Sequence, residues 1–274
     1  MTRERWNQKN AGALKPEKTR MKQTLQLFFT ALSFYTRIPC PSWVKYSEDS
    51  LKQSTKYFPL IGWIVGGSAA LVFWLSHFIF AQPIAILLSM VTSILMTGAF
   101  HEDGFADVCD GFGGGWTKTQ ILHIMKDSHL GTYGTIGLIL VLNLKFFTLT
   151  ALPIELVPVT LIVGHSFSRW VAMTFLVTHH YVRDTENSKI KSVAQQLTIQ
   201  DMLIASGFGI VPLLLLPSYY SLLVIIPLLL IKIYLGYFFT NRIGGYTGDC
   251  LGATQQVTEV VFYLLIGTQF WIYI

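Results

Sequence analysis

The sequence predicts an all-α fold: a polytopic integral membrane helical bundle of about seven transmembrane helices, plus a short N-terminal helix that is interfacial or re-entrant. Three observations predict it. Of 274 residues, 52% are apolar and 13% charged, where a soluble domain carries about a quarter charged residues. Mean hydropathy is positive, +0.49. The apolar residues also gather in blocks of about twenty, the length that crosses a hydrocarbon core about 30 Å thick.

Taken in order, residues 1–24 read as a basic, disordered cytoplasmic tail whose charges can rest on anionic headgroups. No long apolar core with a small-residue cleavage site follows closely, so the tail is not a cleavable signal. The stretch 25–38 is apolar but short and ends in "TRIPCP", which favours an interfacial or re-entrant segment. Apolar blocks then fall at 59–80, 83–100, 131–152, 156–178, 202–217, 219–240 and 257–274. The connections near Ala81-Gln82, Pro153 and Pro217-Ser218 are short and lack Lys and Arg, so six of the blocks pair into tight hairpins. Every long polar segment (the N-terminus to 58, 101–130, 179–200 and 241–256) falls on the other side. Together these hold 17 of the 20 Lys and Arg residues, which places them in the cytoplasm. Topology thus accounts for the +5 net charge, and the partner it implies is the lipid bilayer, not nucleic acid. Cys40, Cys109 and Cys250 have no paired spacing and read as small apolar fillers.

The chemistry gathers on the polar side. In "HEDGFADVCDGFGGG", residues 101–115, a helix would put Asp103, Asp107 and Asp110 on one face. A merely solvated helix end would mix in Lys or Arg, and none stands between Lys56 and Lys118. Crowded hard oxygen donors without Cys or His at metal spacing suit Mg²⁺, with Mn²⁺ as a substitute. His101 and Glu102 are candidate substrate contacts. Gly111, Gly113, Gly114 and Gly115 follow at once and can let backbone N–H groups approach a pyrophosphate, although no Walker pattern is present. Next, Lys126 can neutralise phosphate charge during transfer, and Asp127 can bind metal or orient a hydroxyl, with Ser128 beside them. The last polar loop, "NRIGGYTGDCLGATQQVTE", sets Gly244, Gly245, Thr247, Gly248 and Gly252 around Asp249 and looks like a second wall of the same site. Glu259 follows at the start of the last block. Inside the apolar blocks lie Lys145, Arg169 and Lys232; intramembrane charges are costly and mark function. Lys232 can snorkel, whereas Lys145 and the group His165, Ser168 and Arg169 read as a buried polar site.

Together these stretches resemble one family. "FYTRIPCP", "YFPLIGWIVG", "HEDGFADVCDGFGGG", "IMKDSHLGTYG", Lys145, "HSFSRW" and "GGYTGDCLGA" run in order over nearly the whole chain. They are similar to the cobalamin synthase family, the adenosylcobinamide-GDP ribazoletransferases. The resemblance implies a Mg²⁺-dependent enzyme of the cytoplasmic (inner) membrane of a bacterium or archaeon, with 25–274 as a single membrane-embedded catalytic domain. It joins adenosylcobinamide-GDP to α-ribazole or α-ribazole 5′-phosphate and releases GMP. Association with other corrinoid-pathway enzymes is a further expectation. Asp103, Asp107, Asp110 and Asp249 would hold metal, Lys126 would stabilise the leaving phosphate, and Asp127 or Asp103 would be the general base. Arg37, Lys145, His165 and Arg169 would reach phosphate or corrinoid groups. Family members commonly read "HEDGLADTADG" and "MKDSRIG". Here Phe105 and Val108-Cys109 depart harmlessly, but His129 stands where Arg is usual and supplies less fixed charge.

Two rivals fit less well. CDP-alcohol phosphotransferases also start from "D-x-x-D-G", as Asp107 to Gly111 do, but the Ala-Arg pair and the later aspartate pair are missing. An ion-coupled transporter would place its acids near span centres and would show inverted repeats, which the two halves lack.

Overall fold

A computed structural model describes residues 17–183 and 197–268. Residues 1–16 of the expected tail, 184–196 of the third polar segment and 269–274 of the last apolar block lie outside the described residues. Those described are all-α, with one isolated parallel bridge between Tyr181 and Tyr246.

The end of the expected tail already belongs to helix α1, Glu17–Tyr35. Helix α2, Glu48–Ser54, begins at Ser47, whose hydroxyl accepts the Ser50 N–H, and a 3₁₀ turn carries it into α3, Phe58–His77. Helix α4, Gln82–Thr97, opens with a proline in its first turn. The block 83–100 does not continue straight. At Gly98 (φ +67°) and Ala99 (φ +59°) the chain enters the left-handed region and turns 87° into α5, Phe100–Gly114. The acidic helix therefore lies across the end of the bundle. Helix α6, Lys118–Ile124, starts at a capping box formed by Thr117 and Gln120. Helices α7, Thr132–Thr150, and α8, Val157–Met173, follow, with one further helical turn α9, Phe175–Thr178. After them come α10, Ile199–Ile210, α11, Ile225–Ile243, and α12, Gly248–Ile266.

Four described segments are long and apolar enough to cross a bilayer (48–77, 132–150, 157–178 and 221–243), with a fifth if α4 and α5 count as one broken span. That is fewer than the sequence-based count, for two reasons. Block 202–217 is a 12-residue α-helix followed by a 3₁₀ turn. Residues 257–266 of the last block belong to a helix, Gly248–Ile266, that also carries Asp249, Gln255, Gln256 and Glu259.

The centre of the bundle is α8, packed against α3, α12 and α10. Within a bilayer the gain comes from close packing, so small residues mark the tightest crossing. A Cβ on Gly62 would lie 2.4 Å from the His165 carbonyl oxygen, and one on Gly66 2.7 Å from that of Leu161. Helices α7 and α11 turn apolar faces outward (Leu140, Phe147, Leu230 and Ile233 are exposed), as a lipid-facing surface requires.

Candidate active site

The acidic helix meets the start of α12 almost backbone to backbone. A Cβ on Gly104 would stand 3.0 Å from Asp249 Cα, and one on Gly252 3.1 Å from the His101 carbonyl oxygen. That approach sets Asp103 and Asp107, which flank Gly104, against Asp249. Their proximity shows in their acidities. Partial burial, and then the charges of Asp249 and Asp103, push the Asp107 carboxyl up to about 7. Burial likewise raises Asp249, against the pull of Arg183.

The facing wall comes from the stretch after α9. Val182 N–H donates to the Tyr246 carbonyl at 3.0 Å, and Tyr246 N–H donates to that of His180 at 2.9 Å. Gly245 permits this pairing, since its φ is +158° and a Cβ would meet the His180 carbonyl oxygen at 2.1 Å. Arg183 is thereby delivered to the groove, where Nη2 donates to Asp249 Oδ2 at 2.7 Å and to the Met125 carbonyl at 2.9 Å. Thr247 caps α12 and donates to Asp249 Oδ2 at 3.3 Å.

Other expected site residues go elsewhere. Asp110 turns to α7, its two oxygens accepting the N–H groups of Gly131 and Gly134, each at 2.8 Å. Both are thus spent on fixing a helix N-terminus. The glycines after it form no positive-φ cradle, because α5 runs on through Gly114. They serve contact instead: a Cβ on Gly113 would strike the Tyr133 ring, and one on Gly115 Ile121. Lys126, Asp127 and Ser128 are exposed, just after the Met125 carbonyl that Arg183 holds. Asp127 accepts the His129 N–H at 3.1 Å and pairs with its ring at 2.6 Å, which holds its pKa below the usual carboxylate range. Arg37 ties the N-terminal segment to the bend, its N–H donating to the Met96 carbonyl at 2.7 Å and its side chain crossing Gly98.

Lys145, His165, Ser168, Arg169 and Glu102 do come together, but in the interior. Glu259, with 0% exposure, is their centre. Its oxygens take Lys145 Nζ at 2.8 Å, His165 Nδ1 at 3.1 Å, the Tyr263 hydroxyl at 3.2 Å and Gln255 Nε2. His165 Nδ1 also lies 3.2 Å from Arg169 Nη1. Because an ionised carboxylate can only accept, Nδ1 is the donor to Glu259. Gln256 links Lys145 to Glu102, and His101 stacks on Phe58. Lys232 donates to Thr178 at 2.7 Å and lies over the Phe175 ring. The sequence reading missed Arg183, Gln255, Gln256 and Tyr263. Only the paired glutamines, inside a helix otherwise fit for the membrane, gave a local signal.

Among the described residues no three His, Cys, Asp or Glu side chains form a ready metal cage. The donors still fit a hard cation, since Mg²⁺ commonly takes one or two carboxylates and completes its shell with water and phosphate oxygens. The groove holds three carboxylates (Asp103, Asp107 and Asp249), and the repulsion from Asp249 and Asp103 that adds to burial in raising Asp107 is what a cation would relieve.

Comparisons with known proteins identify the family. The family model described as cobalamin-5-phosphate synthase matches residues 27–267. The adenosylcobinamide-GDP ribazoletransferase of Shewanella frigidimarina is 50% identical over 246 residues, covering 88% of this chain and 94% of the relative. That of Shewanella pealeana is 46% identical over 248 residues, covering 89% and 96%. No solved structure matches significantly. With the family model and relatives of this identity spanning nearly the whole chain, the protein belongs to the cobalamin-5-phosphate synthase family.

Proposed function

We propose that this chain catalyses the last assembly step of cobalamin in the α5–α12 groove, joining adenosylcobinamide-GDP to α-ribazole or its 5′-phosphate with release of GMP. The observation that carries the placement is the Gly104–Asp249 crossing, which sets Asp103, Asp107 and Asp249 around one groove beside Arg183. A ribazole ribose hydroxyl forms the new bond to the phosphorus bearing cobinamide. The bond from that phosphorus to the bridging oxygen breaks, and GMP leaves with the electron pair. Asp107 and Asp249, with Asp103 beside them, would hold Mg²⁺ or Mn²⁺. The ion supplies charge neutralisation on the pyrophosphate. Lys126 serves the leaving phosphate. Asp103 is favoured over Asp127 as proton acceptor, because Asp127 is committed to His129 and weakened as a base. The site faces the cytoplasm of a bacterial or archaeal inner membrane, where enzymes that handle corrinoids are the expected neighbours.

The test is Mg²⁺-dependent GMP release by detergent-purified protein given adenosylcobinamide-GDP and α-ribazole. Asp107→Asn and Asp249→Asn are expected to lower kcat by about 10²-fold or more, and EDTA to abolish release. Undiminished release from either variant would sink the assignment of the groove.

A further inference from the structure

Arg183 is the groove's unassigned cation, and its geometry is that of a residue with more than one use. The backbone just before it is anchored by the bonds of Val182 and His180 to Tyr246, so the side chain starts close to a fixed point. Only Nη2 is engaged, by Asp249 and the Met125 carbonyl. Among the described residues Nη1 and Nε have no partner, which leaves three of the five guanidinium donors uncommitted. The pair is also partly solvated, with 21% of the Arg183 side chain and 14% of the Asp249 side chain exposed. Water therefore reaches both groups and can take over a hydrogen bond that either one releases.

We infer that Arg183 is a phosphate-binding residue that Asp249 holds in reserve: it covers Asp249 until a divalent cation takes that carboxylate, then turns its planar fork onto the substrate's phosphate oxygens. The inference rests on the reading of this groove as the cation and pyrophosphate site. A carboxylate oxygen 2.7 Å from a guanidinium cannot face a divalent cation without loosening that contact, because two positive groups would then crowd one oxygen. The Met125 carbonyl keeps one Nη2 hydrogen bonded through the exchange. The guanidinium thus stays at the mouth of the segment bearing Lys126 and Ser128. Arginine suits the second task because its donors match phosphate oxygens two at a time.

The proposal sets opposite signs on two affinities. Mn²⁺ alone, titrated by electron paramagnetic resonance into the full-length detergent-solubilised protein, should bind Arg183→Gln about threefold to tenfold more tightly than wild type, because a competitor for Asp249 is gone. Inorganic pyrophosphate, titrated calorimetrically in the presence of Mn²⁺, should bind the same variant about tenfold more weakly. Arg183→Lys keeps the charge without the fork: its Mn²⁺ affinity should stay near wild type while pyrophosphate binding remains weak. A purely structural Arg183 would weaken both affinities in Arg183→Gln or change neither, and either result overturns the inference. If wild type binds no Mn²⁺ and Asp107→Asn leaves the titration unchanged, the reading of the groove itself fails, and the inference with it.

Discussion

Glu259 is where removing a single charge should do the most damage. It has 0% exposure, and its carboxylate accepts from Lys145, His165, Gln255 and Tyr263. Glu259→Gln keeps the shape but strands the Lys145 ammonium, 5% exposed, with the Gln256 amide oxygen at 3.0 Å as its remaining acceptor. Breaking a buried pair from one side costs about 3–5 kcal/mol, because the surviving charge stays desolvated. At about 2–4 °C per kcal/mol for a chain of this size, the melting temperature should fall by about 6–20 °C. Lys145→Met should cost less, since Glu259 retains His165 and the nearby Arg169. The double variant strands neither charge and should recover about 2 kcal/mol or more relative to the sum of the singles. Thermal unfolding of the detergent-purified proteins, read by intrinsic fluorescence at one scan rate, gives all four values. A Glu259→Gln protein melting within about 2 °C of wild type would refute the reasoning, as would strict additivity in the double variant.

Asp110→Ala should destabilise by about 2–3 kcal/mol through loss of the Gly131 and Gly134 amide bonds, yet leave Mn²⁺ affinity nearly unchanged; lost Mn²⁺ binding without a lower melting temperature would return Asp110 to the metal site. Gly62→Ala should cost about 1–3 kcal/mol or more, because its Cβ would meet backbone of α8 at 2.4 Å, whereas Gly67→Ala, with nothing within 4 Å, should be neutral or slightly stabilising in the same melting assay. Gly245→Ala should lower both stability and activity, since the Tyr246 pairing that delivers Arg183 cannot form around a Cβ 2.1 Å from the His180 carbonyl oxygen; a fully active, equally stable variant would show that this pairing is dispensable.

What the sequence revealed depended on how local each cause was. Membrane class follows from composition, and the acidic face from helical spacing, so both were legible. The turn at Gly98 was not, because the apolar run 83–100 looks like an uninterrupted span and nothing nearby says that two residues adopt positive φ. The task of Asp110 depends on where a loop 21–24 residues later returns, and that of Arg183 on a partner 66 residues away. Fewer described helices pass as spans than there are apolar blocks, in part because hydropathy weighs the last helix by its apolar majority, while its buried face is written in Gln255, Gln256 and Glu259. Those side chains are affordable at depth only because each finds a partner in another helix.

The two glutamines explain how the groove is held in shape from beneath. Gln256 Oε1 receives Lys145 Nζ at 3.0 Å, so its Nε2 must face the other way, toward Glu102 Oε1 and Gln255 Oε1, both at 3.0 Å. That uses the Gln255 oxygen and directs its Nε2 to Ser168 and Glu259. Flipping either amide would set an N–H group against an ammonium or an oxygen against a carboxylate, so the hydrogen-bond direction is fixed across α5, α7, α8 and α12. Glu102 precedes Asp103 directly. Holding Glu102 from α12 therefore sets the register of α5 on α12, and Gly104 and Gly252 let the two backbones close on that register. The spacing of Asp103 and Asp107 from Asp249 is then decided beneath the groove, in the buried core. Neither Asp103 nor Asp107 is spent on holding the two helices in register, and Asp249 is engaged by Arg183 of the facing wall and by Thr247.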